Sequence, residues 1–387
     1  MMDTDVIAIR AEPVVSDTAE AAADIAPVSR GTNESYLALV WRRLRHSRTG
    51  MFGLTLVALL ILMAAFAEFI APMDPNASSI SFAAPQVPEF INGPGGFSLR
   101  PSVYALVESE QLDPVTFQPL LKPDLTKPQP LGFFVKGASY HVFGLLPAET
   151  HLLGSLDGSP VHFLGTDKLG RDIFSRCVYG ARISLMIALT VVLIVTLVGT
   201  TVGIVSGYFG GAFDRWMQRF VEIVLAFPQL PLYLALTSLI PVTAPTHLFL
   251  AFLIAVVSAL GWAQLSREVR GKTLALARIE YVRAAIAIGA SDRRIMLQHI
   301  LPNVMSHVIV SVTLAVPSIV LLESFLGFLG FAVKPPMISW GLMLQDTANY
   351  SVIGSYPWMM APVGFVLITV FAFNALGDGL RDAIDPY

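Results

Sequence analysis

A long uncharged segment decides the fold of this chain: Ile183-Ser-Leu-Met-Ile-Ala-Leu-Thr-Val-Val-Leu-Ile-Val-Thr-Leu-Val-Gly199-Thr-Thr-Val-Gly203-Ile-Val-Ser-Gly207. No charged residue follows it before Asp214. A helix that crosses a bilayer needs about 20 mostly apolar residues. A strand of a membrane β-barrel would instead alternate in polarity over about ten residues. The segment therefore predicts a membrane-spanning helix.

The composition of the whole chain indicates the same class. Among 387 residues, 54% are hydrophobic and only 14% are charged, whereas soluble domains carry about 25% charged residues. This excludes a soluble enzyme, a coiled coil and a disordered protein. The net charge of −3 gives no reason to expect nucleic acid as a partner. Cys177 is the only cysteine, so an internal disulfide or a cysteine-bound metal cluster is excluded.

The remaining apolar segments bring the predicted number of spans to six. The longest uncharged run, 223–266, is too long for one span and is divided at Pro241 and Pro245, where a helix should stop. Basic residues at 42–48 and in the loop 265–303 predict that these parts, and both termini, are cytoplasmic. The predicted spans are 49–67, 183–206, 221–240, 247–264, 305–322 and 358–377.

Four parts of the chain differ in character. Residues 1–35 are rich in Ala, Asp, Glu, Ser and Pro and lack the pattern of a signal peptide, which predicts a disordered cytoplasmic tail. Residues 36–72 contain the first span. Residues 73–165 form an external insertion with strand-like patches, either a small cap over the outer mouth or an extended loop on the membrane surface. Residues 166–387 form the core, where 340–346 are expected to be a short external surface helix.

The chain shows no energy source of its own. The segment most similar to an ATP-binding phosphate loop is 266–273. Such a loop begins with glycine, and here Ser266 stands at that position. The seven histidines lack metal-ligand spacing, and no catalytic group or metal site is expected. Glu68, Glu222 and Glu323 lie near span ends, where they are expected to reach the interface. The protein is therefore a passive channel or a subunit powered by a partner.

The cytoplasmic loop 265–303 indicates such a partner. It predicts two short helices, 280–288 and 293–299, joined by Gly289, with Ser291 or Asp292 capping the second. Leu301-Pro302 is expected to break the chain before the fifth span. A compact knob of this kind suits docking into a groove of another protein, although an amphipathic loop on lipid head groups is the alternative. One face of the first helix is expected to carry Tyr281, Ala284, Ala285 and Ile288.

The same loop resembles the EAA loop of bacterial ABC-importer permeases of the dipeptide/oligopeptide/nickel branch, in Glu280-Tyr-Val-Arg-Ala-Ala…Gly289-Ala-Ser…His299-Ile-Leu-Pro-Asn303. Arg283 and His299 depart from the wider family, which has glutamate and isoleucine there. The resemblance covers 36–72 and 160–387, and the insertion is placed like the longer loop of Yej-type permeases. Further similar blocks lie at 164–184, 325–330, 339–341 and 377–386.

The resemblance implies an all-α polytopic membrane protein with the six-helix fold of type I importers. This chain would be a C-type permease in the bacterial inner membrane, beside a B-type permease, two ABC ATPases and an extracytoplasmic binding protein. ATP and Mg would be bound by the ATPases, and the chain itself would not be an enzyme. Peptides are the implied substrate, with an oligosaccharide, an opine-like compound or nickel as alternatives within the family. A passive channel or an ion-coupled transporter is the distant alternative.

Three groups of residues are candidates for function. The resemblance assigns coupling to the ATPase to Glu280, Tyr281, Arg283, Ala284, Ala285, Gly289, Ala290 and Ser291. Glycine at every fourth position predicts a helix-packing ridge, within this chain or against the partner permease, formed by Gly199, Gly203, Gly207 and Gly211. Prolines at 228 and 231 kink the third span, which makes its polar and aromatic neighbours candidates for the substrate pathway, namely Phe227, Gln229 and Tyr233.

Overall fold

The computed structural model describes residues 36–91, 97–112, 114, 119–142, 145–241, 243–331 and 333–384. The predicted disordered tail, 1–35, lies outside these residues. Thirteen α-helices and four strands follow one another in the described residues. The helices are α1 Tyr36–Leu44, α2 Arg48–Ala65, α3 Ala67–Ile70, α4 Ile173–Phe209, α5 Gly211–Ala226, α6 Gln229–Thr237, α7 Thr246–Leu276, α8 Glu280–Ala287, α9 Asp292–Arg294, α10 Leu301–Phe328, α11 Trp340–Leu344, α12 Tyr350–Ser355 and α13 Ala361–Ile384.

Five continuous helical stretches in the described residues are long and apolar enough to cross a membrane. They are α2, α4, α7, the stretch Asp292–Phe328 and the stretch Pro357–Ile384. The predicted third span, 221–240, is not one straight helix, because α5 and α6 meet at an angle of 81°. Pro228 stands at this break, where it has no N–H to continue the helix. The predicted six spans are reached if the bent pair is counted as one.

The spanning helices pack into one bundle. α4 lies against α7, α2 lies against α13, and α10 contacts both α4 and α13. Small residues such as Ala181 and Ala188 are fully buried on α4 and let the neighbouring helices approach closely. One core cluster joins four helices through Val57 and Leu60 of α2, Leu185 and Val192 of α4, Val316 and Val320 of α10, and Phe373 and Leu376 of α13.

The prediction of an all-α fold is wrong, because the insertion forms a four-stranded antiparallel sheet in the order β1-β2-β3-β4. The long strand β3 pairs with β2 through its first half, as Ser102 with Pro130, and with β4 through its second half, as Leu131 with Ser155. Val103 and Leu131 pack with Val161 in a small core of their own. The strands are β1 Glu89–Ile91, β2 Phe97–Leu112, β3 Pro119–Val142 and β4 Leu146–Ser155.

The sheet is fastened to the helical bundle at its root. Ser79 donates its backbone N–H to Gly170 O at 2.8 Å, and the Thr166 hydroxyl donates to Ile80 O at 2.6 Å. On the other side, His151 Nδ1 lies 2.7 Å from Ala71 O, directly after α3. The insertion is thus a folded unit tied to the ends of α2 and α4, which excludes a wholly extended loop.

Candidate functional site

The loop after α7 forms the two-helix knob that the sequence predicts, defined here as residues 280–300. α8 ends at Ala287, and Gly289 adopts a φ of +85°, a left-handed conformation that favours glycine. Ala290 N–H donates to Ala285 O at 3.0 Å and closes the end of α8. Ser291 then precedes α9 in an extended conformation, but its side chain makes no capping hydrogen bond.

The predicted break at Leu301-Pro302 does not occur. A π-helix, Ile295–Ile300, continues α9 into α10, so that one helical stretch runs from Asp292 to Phe328. Pro302 stands in the first turn of α10, where its missing N–H costs least. Leu301 N–H donates to Met296 O, five residues back, so the wider turn absorbs the proline without ending the helix. The knob is therefore continuous with a membrane-spanning helix.

The underside of the knob is buried against the inner ends of the bundle. Val282, Ile295 and Ile300 are completely buried. They share one cluster with residues of α4, α7 and α10, namely Ile204, Leu265, Val269, Val304 and Val308. In addition, the Tyr208 hydroxyl at the end of α4 donates to the Asp292 carboxylate at 2.8 Å. These contacts hold the knob firmly on three spanning helices.

The outer side of the knob carries most of the predicted coupling residues. Ala285 is an exception, because it follows Val282 by three positions and lies on the buried face of α8. Ala290 is half-buried. Ile288, which the coupling assignment omits, is 87% exposed, and Ile286 and Leu297 are also exposed. Ile288 lies one helical turn after Ala284, and this spacing is the sequence signal that places it on the same exposed face. The exposed predicted residues are Glu280, Tyr281, Arg283, Ala284, Gly289 and Ser291.

A small polar network joins α8 to the start of α10. Asn303 Nδ2 donates to the Tyr281 hydroxyl at 3.1 Å and to His299 O at 2.6 Å. The Tyr281 ring also lies 6.2 Å from the His299 ring, centroid to centroid. His299, a departure from the wider family pattern, is therefore part of the contact that fixes the two helices of the knob.

The glycine ridge of α4 packs against α7 within this chain. A Cβ atom would lie 3.0 Å from Trp262 O at Gly199, 2.7 Å from Ser266 O at Gly203, and 2.9 Å from Arg270 O at Gly207. These distances leave no room for a side chain where the two backbones meet. Gly211 does not continue the ridge: it opens α5 with a φ of +63° and has open space around it.

A charged clamp lies at the inner end of this ridge. Arg270 Nε and one terminal nitrogen donate to the two carboxylate oxygens of Asp214 at 2.5 and 2.6 Å. The Ser206 hydroxyl donates to the same carboxylate at 2.5 Å. Because Ser206, Asp214 and Arg270 belong to α4, α5 and α7, the clamp fixes three helices together.

The candidate pathway residues are separated in the structure. Phe227 and Gln229 are exposed on either side of the break between α5 and α6. Tyr233 is only 3% exposed and packs among Ile187, Leu253 and other apolar residues of α4 and α7. The bend thus brings two of the three candidates to the surface and the third into the core.

The acidic residues near span ends have different surroundings. Glu222 is exposed, beside Arg219. Glu68 accepts two hydrogen bonds from Arg182, at 2.6 and 2.7 Å. Partial burial raises the pKa of Glu68, but the bonds from Arg182 outweigh it and the pKa lies below its ordinary value. Glu323 does not reach the interface as expected, because it is 2% exposed.

Glu323 is buried beneath the helix predicted at 340–346. The Ser184 hydroxyl donates to Glu323 Oε2 at 3.0 Å and accepts from Trp340 N–H at 3.1 Å. That helix, α11, is not a surface helix, since Trp340 and Gly341 are buried. A Cβ atom on Gly327 would lie 2.4 Å from Gly341 Cα, so only a pair of glycines permits this approach of α10 and α11.

These features define a polytopic helical membrane protein with an exposed two-helix knob. Residues 199–387 match the family described as binding-protein-dependent transport system inner membrane component. Residues 35–88 match the N-terminal TM domain of oligopeptide transport permease C. The sheet-forming residues 89–155 lie outside both matched ranges.

Two curated relatives show the same relationship. The oligopeptide transport system permease protein OppC of Haemophilus influenzae is 43% identical over 58% of this chain and 70% of its own length. The dipeptide transport system permease protein DppC of Bacillus subtilis is 40% identical over 60% of this chain and 71% of its own. An inward-facing MetNI methionine ABC transporter aligns with 54% of this chain and 96% of its own, at 18% identity and a TM-score of 0.43.

The chain belongs to the family of binding-protein-dependent ABC-transporter permeases, in the branch of OppC and DppC. This confirms the family predicted from the knob and the signature blocks. It is a multi-pass inner-membrane protein and a transporter permease subunit.

Proposed function

We propose that this chain is the C-type permease subunit of an ATP-driven importer that moves di- and oligopeptides across the bacterial plasma membrane. The relatives that are named as oligopeptide and dipeptide permeases support this substrate class. A binding protein outside the membrane delivers the peptide. A B-type permease completes the pathway, and two ABC ATPases on the inner side bind ATP and Mg.

We infer the type I arrangement of six spans, with α5 and α6 together forming the third. Both termini are cytoplasmic and the insertion, 73–165, is external. The basic residues before α2 and in the loop 265–303 support this orientation, because such residues are retained on the cytoplasmic side. The ridge residues Gly199, Gly203 and Gly207 then serve packing inside the subunit, and Phe227 and Gln229 face the partner permease or the pathway.

The knob is the coupling element in this proposal, and its exposed apolar side on a buried base is the observation that carries it. Ile288 and Tyr281 enter a groove of an ATPase, while Val282 and Ile295 transmit the movement of that groove to α4, α7 and α10. The contact must be rigid, because a flexible contact would deform instead of passing the movement of the ATPase to the spanning helices. The remaining coupling residues, Glu280, Arg283, Ala284, Ala285, Gly289, Ala290 and Ser291, shape the docking surface and the turn.

The test is peptide uptake in a strain that depends on this importer. The variant Gly289→Trp meets open space but strains a backbone whose φ is +85°. We expect it to insert into the membrane, but no longer to co-purify with an ATPase or to support uptake. The control is Gly158→Trp, at another open position with a positive φ of +76°, after β4. Normal uptake by Gly289→Trp would refute the coupling assignment, and absence of any peptide uptake by the wild-type complex would refute the proposed substrate class.

A further inference from the structure

An open cavity of about 700 Å³ lies between the insertion and the segment that precedes the last span. Three separate parts of the chain form it: residues 79–84, Glu108 of β2 with residues 119–121 of β3, and residues 355–358. Its volume lies within the range of small-ligand pockets, roughly 300–1,000 Å³. The lining includes Phe82, Glu108, Leu120, Leu121, Tyr356 and Trp358.

One wall of the cavity is aromatic. The rings of Phe82 and Tyr356 are stacked, with centroids 4.0 Å apart and planes 8° from parallel. Trp358 adds a third ring at 5.5 Å from Tyr356, edge to face. Phe82 has a φ of 54°, which a bulky residue adopts only when its surroundings impose it. Such outliers concentrate at ligand sites, so the conformation of Phe82 is a second observation that points to binding.

The wall is held in place by one short segment of the core. Phe82 N–H donates to Asp167 O at 3.0 Å, and Ala83 N–H donates to the Thr166 hydroxyl at 2.7 Å. Trp358 Nε1 donates to Thr166 O at 3.2 Å. Residues from both sides of the wall are thus bonded to 166–167, and the rings are positioned before any ligand arrives.

The charge of the lining selects the ligand. Glu108 on β2 is the only charged residue among the described residues that line the cavity. A carboxylate in a cavity that also contains aromatic rings favours a positively charged group, through an ion pair and cation–π attraction. The rest of the lining combines apolar residues, including Leu120 and Leu121, with Ser79, Ser81 and Ser355. Its apolar part favours a hydrophobic side chain. A free amino terminus followed by apolar residues combines both features.

We propose that this cavity is a peptide-binding site on the permease itself. Glu108 holds the terminal ammonium of a short peptide, and Phe82, Tyr356 and Trp358 contact its aromatic or apolar side chain. The site rests on the proposed function in peptide uptake and adds to it a position outside the membrane where this subunit meets the substrate directly.

The experiment uses the assembled importer in nanodiscs, without its binding protein. The probe is the tripeptide benzoylphenylalanyl-Ala-Ala, which cross-links to its site under light and is mapped by mass spectrometry. We expect labelling within 79–84, 119–121 or 355–358, and competition by Phe-Ala-Ala but not by N-acetyl-Phe-Ala-Ala. Glu108→Gln lowers labelling at subsaturating probe by about 1.5-fold to fivefold, the range for one exposed ion pair. Glu110→Gln, an exposed carboxylate on the same strand outside the lining, leaves it unchanged.

Either of two results overturns the site: equal competition by the acetylated peptide, or unchanged labelling in Glu108→Gln. Peptide uptake is measured in the same preparation with the binding protein added. Normal uptake without labelling in the named segments refutes the site alone, whereas absence of uptake refutes the proposed function together with the site. Because Glu108 is exposed, its replacement leaves the sheet folded.

Discussion

Close packing of α4 on α7 makes Gly203→Ala the sharpest test of the bundle. A single methyl group at this position would lie 2.7 Å from Ser266 O and 2.7 Å from Val269 Cβ. Both neighbours are fixed, since one is backbone and the other is attached directly to a helix. Contacts of ordinary length start near 3.4 Å, so the helices must separate by several tenths of an ångström to admit the methyl group.

Two effects of opposite sign set the magnitude. Overpacking of a well-packed contact costs about 1–3 kcal/mol, and separation also loosens the contacts of Gly199 and Gly207 with the same helix. Alanine instead gains about 1 kcal/mol of helix propensity over glycine. Gly271→Ala, on α7, isolates the second effect because nothing lies within 4 Å of its Cβ position. Gly203→Ala should therefore be less stable than Gly271→Ala by about 1–3 kcal/mol.

The assay is thermal unfolding of the purified complex, followed by size-exclusion chromatography after heating. At about 2–4 °C per kcal/mol for large domains, the apparent melting temperatures of the two variants should differ by several degrees. Both must insert and assemble at low temperature. Equal melting temperatures, or a more stable Gly203→Ala, would refute the close approach of α4 and α7.

Three further substitutions test other contacts. Ile288→Glu should abolish co-purification of the ATPase while leaving the melting temperature of the permease within a degree or so, because the side chain touches solvent; retained ATPase would contradict the docking surface. Asp214→Asn should cost about 1–3 kcal/mol and leave Arg270 unpaired, and Asp214→Asn combined with Arg270→Gln should recover part of that loss, as a double-mutant cycle of melting temperatures can measure. The pKa of Glu68 is lower in the folded protein than its unfolded value near 4.5, so the ionised carboxylate stabilises the fold above that value, and this contribution is lost as the pH falls through the folded pKa. Glu68→Gln, which also loses the ion pair with Arg182, should therefore show a flatter dependence of stability on pH below about pH 5. An unchanged dependence would contradict the assignment.

The sequence predicts those features of the fold that depend on local composition. Apolar length alone gives most of the spans, and the ridge glycines follow from a four-residue spacing. The knob is predicted because Gly289 and the helix formers before it are local signals. The failure at Leu301-Pro302 has a local cause as well: proline usually ends a helix, but a π-turn of six residues accommodates it.

Features that depend on distant residues could not be predicted. The sheet depends on pairs such as Ser102 with Pro130, which no hydrophobic period marks. The burial of Trp340 depends on Ser184, and the burial of Tyr233 on α4 and α7. The aromatic wall joins Phe82 to Tyr356 only after the whole core has folded. Sequence patterns thus predicted the exposed surface of the knob but not the cavity.

The continuity of Asp292–Phe328 has a mechanical consequence for the proposed coupling. At about 1.5 Å per residue, these 37 residues span roughly 55 Å, from the knob to the outer face of the bundle. At the inner end, the bond between Asn303 and Tyr281 ties the helix to α8. At the outer end, Gly327 lies against Gly341 of α11, where no side chain can intervene.

A displacement of the knob therefore reaches the external helices through one element rather than through a chain of loops. Pro317 is the second proline of this stretch, after Pro302, and it is buried in the interior of α10. Because its ring removes one hydrogen bond from the helix, Pro317 is the position at which α10 can bend as the two ends move. In the proposed coupling, the half of α10 next to the knob would follow the ATPase and the other half would follow α11.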